Sequence, residues 1–235
     1  MALIEAPQLK KLIDDQQDFL LFDCRFDLVD SEAGYKSYLE GHIPGAIYVH
    51  SDKDLASEKN GHNGRHPLPS VNAWQKTYAA LGITPNSRIV IYDNQSCMYA
   101  VRLWWMLKAT GHANVRVLDG GLDSWNGPMG SVPRKPTPAP QALAPMPYFG
   151  LVLVDEVVSN LSTKKNVLID ARSNDRFHGE NETLDPIGGH IPGALSHFFR
   201  DNLSATAFKT PEQLFKEFSE SLGTTKASEI IHQCG

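Results

Sequence analysis

The chain has 235 residues, 41% hydrophobic and 21% charged, which excludes a disordered chain and suits one large domain or two of ordinary size. A formal net charge of −5 offers no electrostatic footprint for nucleic acid or an anionic membrane. No apolar run reaches the roughly 18 residues of a membrane span, the start MALIEAPQLKKLIDD lacks a secretory pattern, and three cysteines make no disulfide framework, so a cytoplasmic protein with no nucleic-acid or membrane partner is expected.

In chain order, residues 19–22 form a short apolar run that predicts a buried strand, followed by Asp23-Cys24-Arg25. Gly41-His42-Ile43-Pro44-Gly45-Ala46 carries a turn signal: proline fixes φ at the second position and glycine supplies φ > 0 at the third, as a type II turn requires. His42 before that turn is expected to bond nearby backbone. Residues 89–92 predict a strand ending at Asp93. The stretch 98–110 is apolar nearly all round and precedes Gly111, which predicts a buried helix with a glycine C-cap. Residues 115–118 predict a further strand, ending at Asp119-Gly120-Gly121. Strand–helix alternation implies an α/β fold with a parallel sheet flanked by helices, whose ligands sit at the carboxyl ends of strands. Seven of the fifteen prolines then crowd into Pro128, Pro133, Pro136, Pro138, Pro140, Pro145 and Pro147, which reads as a linker over 128–148.

The chain then repeats itself. Asn166-Val167-Leu168-Ile169-Asp170-Ala171-Arg172 resembles the run from Phe19 to Arg25. Gly189-His190-Ile191-Pro192-Gly193-Ala194 repeats the earlier turn letter for letter. Leu222-Gly223-Thr224-Thr225 and Ile230-Ile231-His232-Gln233-Cys234 match Leu81-Gly82-Ile83-Thr84 and Ile89-Val90-Ile91-Tyr92-Asp93. Three matches in one order at nearly constant separation imply duplication. Domain one is expected at 1–127 and domain two at 149–235.

The copies differ where chemistry would lie. At the end of the matched strand, copy one has Asp93 and copy two has Cys234. A carboxylate cannot act as a soft nucleophile, whereas a thiolate can. A strand-to-helix turn surrounds its first residue with backbone N–H groups and the positive end of a helix dipole, a setting that favours thiolate. Copy two is therefore expected to be active and copy one a retained scaffold. Cys24 is expected to be a small buried side chain, and Cys97 an ordinary thiol in a loop open to solvent.

Asp-x-Arg after a strand, Gly-His-Ile-Pro-Gly-Ala after a loop and a strand ending in Cys-Gly together resemble the rhodanese superfamily. The duplicated arrangement looks like its two-domain sulfurtransferases, acting on thiosulfate or 3-mercaptopyruvate. The segments around Arg102-Leu103-Trp104-Trp105 and Asp119-Gly120-Gly121-Leu122 are similar to first-domain signatures of that family. The resemblance implies two tandem rhodanese-like domains and ping-pong transfer with no cofactor. Cys234 would take the outer sulfur of a small anionic donor as a persulfide and pass it to cyanide, a thiol or thioredoxin.

The resemblance also implies roles for other residues. Arg176 matches the substrate-binding arginine, and Gly235 the start of the active loop. Arg172 and Arg25, shared by both copies, are expected to be structural. Asp52 and His66 match a first-domain pair that assists catalysis, although their spacing is longer than the family pattern. Residues 177–189 hold no second arginine or lysine for a carboxylate, whereas Gly235 favours mercaptopyruvate, so the donor stays open. Copy one runs on well beyond Asp93, while copy two stops one residue after Cys234. The chain is therefore expected to be a fragment of a longer protein, inactive alone, with domain two incomplete. Two other readings remain: a non-catalytic interaction module and a cysteine phosphatase of the same fold. No paired Cys-x-x-Cys spacing, phosphate loop or dinucleotide glycine motif is present, so no metal is expected.

Overall fold

Strands and helices alternate as the hydrophobic pattern predicts, in a computed structural model that describes residues 2–139 and 147–234. The chain divides into two compact units, Met1–Gly150 and Leu151–Gly235. Unit 1 contains β1 (Leu3–Ile4), α1 (Ala6–Asp14), β2 (Leu20–Asp23), α2 (Ala33–Glu40), β3 (Ile47–Tyr48), α3 (Val71–Ala80), β4 (Ile89–Tyr92), α4 (Ala100–Ala109) and β5 (Val115–Leu118). Its strands form one sheet in the order β1-β5-β4-β2-β3, and every pairing is parallel. The central strand β4, Ile-Val-Ile-Tyr, is buried along its whole length, as a strand covered on both faces must be. Leu9 of α1 is fully buried, with Leu12 and Ile13 packed on the same core. The spacing 9, 12, 13 is the apolar stripe of one helix face.

One buried ion pair fixes the end of β2 to the loop that follows α2. Asp23 is fully buried and Arg25 is 5% exposed. Arg25 Nε and Nη2 donate to the Asp23 carboxylate (Nη2–Oδ2 2.8 Å), and Nη2 also donates to the Gly41 carbonyl at 2.6 Å. The Tyr92 hydroxyl donates to Asp23 Oδ2 and accepts from the Ile43 amide, so β4 joins the same network. Beyond Gly41 the chain makes the expected turn: Gly45 has φ +82°, and the Ala46 amide donates to Ile43 O. His42 bonds backbone, with Nδ1 2.6 Å from Tyr38 O and Nε2 3.2 Å from Val132 O.

Unit 2 contains α5 (Val154–Thr163), β6 (Val167–Asp170), α6 (Asn174–Phe177), β7 (Leu195–Ser196), the short hairpin β8 (Leu203–Ser204) and β9 (Ala207–Phe208), α7 (Pro211–Leu222) and β10 (Ile230–Gln233). Its parallel sheet has the order β10-β6-β7. The ion pair recurs atom for atom: Arg172 Nη2 donates to Asp170 Oδ2 at 2.7 Å and to Gly189 O at 2.6 Å. The turn recurs too, with Gly193 at φ +84° and Ala194 N donating to Ile191 O. His190 stacks on Phe177 and places Nδ1 2.8 Å from Phe177 O. The core gathers Leu168, Phe177 and Ala194, with Val157, Ile191 and Ile231 against them. On α5, Val154, Val158 and Leu161 remain exposed, and β10 is an edge strand, whereas its counterpart β4 lies between β2 and β5.

Two boundaries differ from the sequence expectation. The helix expected from 98 starts at Ala100, because Ser96 and Cys97 adopt positive φ (+55° and +70°) that a helix cannot continue through. The proline-rich stretch, where described, is tied to unit 1. Gly130 and His42 exchange backbone hydrogen bonds, Arg134 N donates to the Tyr38 hydroxyl, and Ala139 N donates to Ala79 O. Tyr148 stacks on Trp105. Unit 1 therefore takes in the described linker residues and ends at Gly150, beside the expected start of domain two at 149; residues 140–146 of the expected linker lie outside the described residues.

Asp23→Asn leaves the Arg25 charge buried without its counter-ion. We expect it to lower the stability of unit 1 by about 3–5 kcal/mol, read as a fall in its urea midpoint.

Candidate active site

The end of β4 in unit 1 displays the anion-binding geometry expected of this turn. Asp93 is fully buried, and four backbone amides converge on its carboxylate. Oδ1 accepts from Gln95 N (2.9 Å) and Cys97 N (3.0 Å), and Oδ2 from Tyr99 N and Ala100 N (both 2.8 Å). Tyr99, the residue before α4, caps it with no side-chain bond, so the Asp93 carboxylate satisfies amides at the helix start and complements its dipole. Gly121 packs on the Asp93 carbonyl so closely that an added Cβ would lie 2.6 Å from that oxygen, and Leu122 N donates to it. This close approach explains the glycine in Asp119-Gly120-Gly121.

In unit 2 the counterpart of Asp93 is Cys234. It directly follows β10, whose Gln233 pairs with Asp170 of β6 in parallel register. Ala171 N donates to Gln233 O, so the segment carrying Arg172 and Arg176 leaves the sheet beside the cysteine, at the same carboxyl edge. The Cys234 thiol is exposed. Gly235 lies outside the described residues.

Arg176, on α6, is 19% exposed and directs Nε to Glu182 Oε2 (2.9 Å) and Nη2 to Asp185 Oδ2 (3.0 Å). Glu182 is nearly buried. Its Oε1 accepts from Leu184 N and Asp185 N, and Arg172 Nη1 lies 3.7 Å from its Oε2. The hydrogen bond from Arg176, helped by these amides, holds the Glu182 carboxyl down at about 2. Sequence reading missed Glu182 and Asp185; the signal available was the acidic run that follows Arg176.

The structure brings the first-unit pair together: His66 Nε2 lies 3.1 Å from Asp52 Oδ1. The approach is electrostatic rather than a linear hydrogen bond, since Asp52 Oδ1 accepts none. Asp52 sits in a tight turn closed by His50 N donating to Asp54 Oδ2 and Asp54 N donating to His50 O. The loop between the two residues is clasped by Arg102 of α4, which donates to Leu55 O and to His66 O. The Phe26 ring meets the His66 ring edge-on. Burial pushes the His66 imidazole below its usual range, against the attraction of Asp52. His66 is therefore neutral at pH 7 and able to accept a proton.

The other cysteines are interior. Cys24 is fully buried, and burial raises its thiol well above the usual range. Cys97 corrects the expectation of a solvent-open thiol: it is 2% exposed, and burial pushes its pKa up to about 12. The cause is its amide bond to Asp93, which folds the loop inward and seats Sγ 3.6 Å from Leu118 O. Cys234 is thus the accessible thiol among the described residues. No cluster of three or more histidine, cysteine or acidic side chains among them could hold a metal, and no helix among them is long and apolar enough to cross a membrane.

Two units that share an ion pair and a turn, one with a carboxylate and the other with a cysteine at the equivalent strand end, define a duplicated rhodanese-fold protein. The chain belongs to the rhodanese family, as one of its two-domain sulfurtransferases: residues 5–128 match the model of the rhodanese-like domain. It is 36% identical to a probable 3-mercaptopyruvate sulfurtransferase of Pseudomonas aeruginosa, over 99% of this chain and 84% of that protein. It is 35% identical to a putative thiosulfate sulfurtransferase, SseB, of Mycobacterium tuberculosis, over 83% of this chain and 69% of that protein. Among solved structures it resembles the 3-mercaptopyruvate sulfurtransferase SseA of Escherichia coli, with a TM-score of 0.82 and 26% identity over 99% of this chain and 88% of that one.

Two measurements follow from this geometry. In an NMR titration His66 should ionise below pH 6.5, and Asp52→Asn should move it lower still, because the substitution removes the charge that favours imidazolium; an upward move would contradict the contact. Asp93→Ala strands four buried amides and should destabilise unit 1 by at least about 3 kcal/mol, measured by chemical denaturation.

Proposed function

We propose that the protein moves a sulfane sulfur from thiosulfate or 3-mercaptopyruvate through a Cys234 persulfide to a thiophilic acceptor: cyanide, a thiol or reduced thioredoxin. The observation that carries this reading is the exchange of Asp93 for Cys234 at equivalent strand ends. In unit 1 that position is an anion cradle made of main-chain amides, and amides aimed at a fixed point stabilise an anion that forms there. On this reading residues 1–127 are the scaffold domain and 149–235 the catalytic domain, joined through 128–148, in the cytoplasm.

The Cys234 thiolate attacks the outer sulfur of the donor. With thiosulfate, an S–S bond forms to Cys234, the donor's own S–S bond breaks, and its electron pair leaves with sulfite. With 3-mercaptopyruvate the C–S bond breaks, and the donor's S–H proton ends on the methyl carbon of pyruvate. Asp52 and His66 are the acid–base pair for that proton, supported by their 3.1 Å contact and by the neutral imidazole. Arg176 binds the anionic end of the donor, supported by its place beside the cysteine's strand and by its planar donor fork. Gly235 opens the loop that receives the donor. Cyanide then takes the outer sulfur as thiocyanate, and the thiolate returns.

Incubation of the full-length protein with either donor should add about 32 Da, one sulfur, to Cys234, located by peptide mass spectrometry, and leave Cys24 and Cys97 unmodified. Cys234→Ser should lose both the adduct and thiocyanate formation. A protein that takes no sulfur from either donor would be the interaction module instead.

A further inference from the structure

A guanidinium grips a carboxylate or sulfonate through two parallel N–H bonds from one edge of its fork. In Arg176 the Nε–Nη2 edge is already occupied, and by two different carboxylates: Glu182 on Nε and Asp185 on Nη2. The two acids are held differently. Glu182, 5% exposed, is fixed by two backbone amides and also lies near Arg172, so it cannot leave without stranding those donors. Asp185, 30% exposed, is the more solvent-accessible partner.

The charges nearby are unbalanced. Arg172 and Arg176 face Asp170, Glu182 and Asp185, and Asp175 adds a further carboxylate that accepts from Arg176 N. Two cations therefore sit among four acids. An incoming anion that takes this side-on edge must displace Asp185 from Nη2 and then remain beside the carboxylates. That repulsion grows with the charge of the visitor, and at contact distance in water a unit pair is worth about fivefold in an equilibrium constant.

We propose that Glu182 and Asp185 determine the donor specificity of this site: they compete with the donor for the fork of Arg176 and select against doubly charged donors in favour of singly charged ones. The proposal rests on Arg176 binding the donor, as argued above. Thiosulfate is a dianion and 3-mercaptopyruvate carries one carboxylate, so the pair tests the rule directly.

The test is Asp185→Asn in the otherwise unaltered full-length protein, with Glu182→Gln as the second variant and a thermal melt to establish folding. The ratio of kcat/KM for thiosulfate to that for 3-mercaptopyruvate is the readout, since losses common to both donors cancel in it. Asp185→Asn should raise kcat/KM for 3-mercaptopyruvate about fivefold and for thiosulfate about twenty-fivefold, so the ratio rises about fivefold, and 0.5 M salt should shrink the difference. A ratio that is unchanged or lower in folded variants would overturn the proposal, because it would mean that the acids orient Arg176 rather than compete for it. Anion binding separates this from the transfer reading. Inorganic sulfate and nitrate are titrated onto the unaltered protein and each variant, following the Arg176 Nε–H resonance. If sulfate binding tightens more than nitrate binding in Asp185→Asn, the competition stands even where no sulfur reaches Cys234, and the transfer reading alone falls. If neither anion gains, the competition fails whatever the activity.

Discussion

The pairing of a strand-end aspartate with the arginine two residues on is the constraint from which both units are built. Asp23 and Asp170 are fully buried, and each would be costly there without its partner. The arginine neutralises the carboxylate, and its Nη2 also donates to a carbonyl sixteen or seventeen residues away, Gly41 in one unit and Gly189 in the other. That second bond ties the carboxyl end of a central strand to the Gly-His-Ile-Pro-Gly-Ala turn. In unit 1 the Tyr92 hydroxyl extends the network to the end of β4, one residue before Asp93. The ion pair therefore sets the relative height of two strand ends, and the anion cradle is built on one of them.

The strand-end position answers two needs according to what occupies it. In unit 1 the occupant is a side chain already attached, so the amides at the start of α4 are satisfied internally and the segment packs shut. The burial of Cys97 belongs to this closure: its amide turns toward Asp93 and its sulfur is drawn into the core, where the thiolate is unfavourable. At the corresponding strand end of unit 2 a thiol stands exposed to solvent. One difference at one position thus separates a buried structural cap from an exposed thiol, while the ion pair and turn beside it are kept.

What could be read from the sequence is what repeats or what has a short period. The strands, the φ > 0 glycines of the two turns and the structural role of Arg25 and Arg172 all follow from local chemistry that is written twice. The contact between Asp52 and His66 was legible only through resemblance, because the loop joining them is set by Arg102, far along the chain on α4. The start of α4 was misplaced because its cap comes from Asp93, seven residues before the helix, and no local cap signal marks Ala100. Glu182 and Asp185 were missed for another reason. An acidic run after a short helix is ordinarily a solvated surface, and nothing in its composition says that two of its members turn back onto Arg176.

These carboxylates give the second unit a character that the nucleophile alone does not. An arginine expected to receive an anion has its Nε–Nη2 edge filled, and the same edge of Arg172 is committed to Asp170 and Gly189. On the proposed reading, anion recognition at the carboxyl edge of this sheet is a competition rather than simple capture. The ion pair that builds the fold fixes Arg172, while Arg176 is held by its acidic neighbours. Fold and specificity meet at Glu182, whose carboxylate lies within ion-pair reach of both guanidinia.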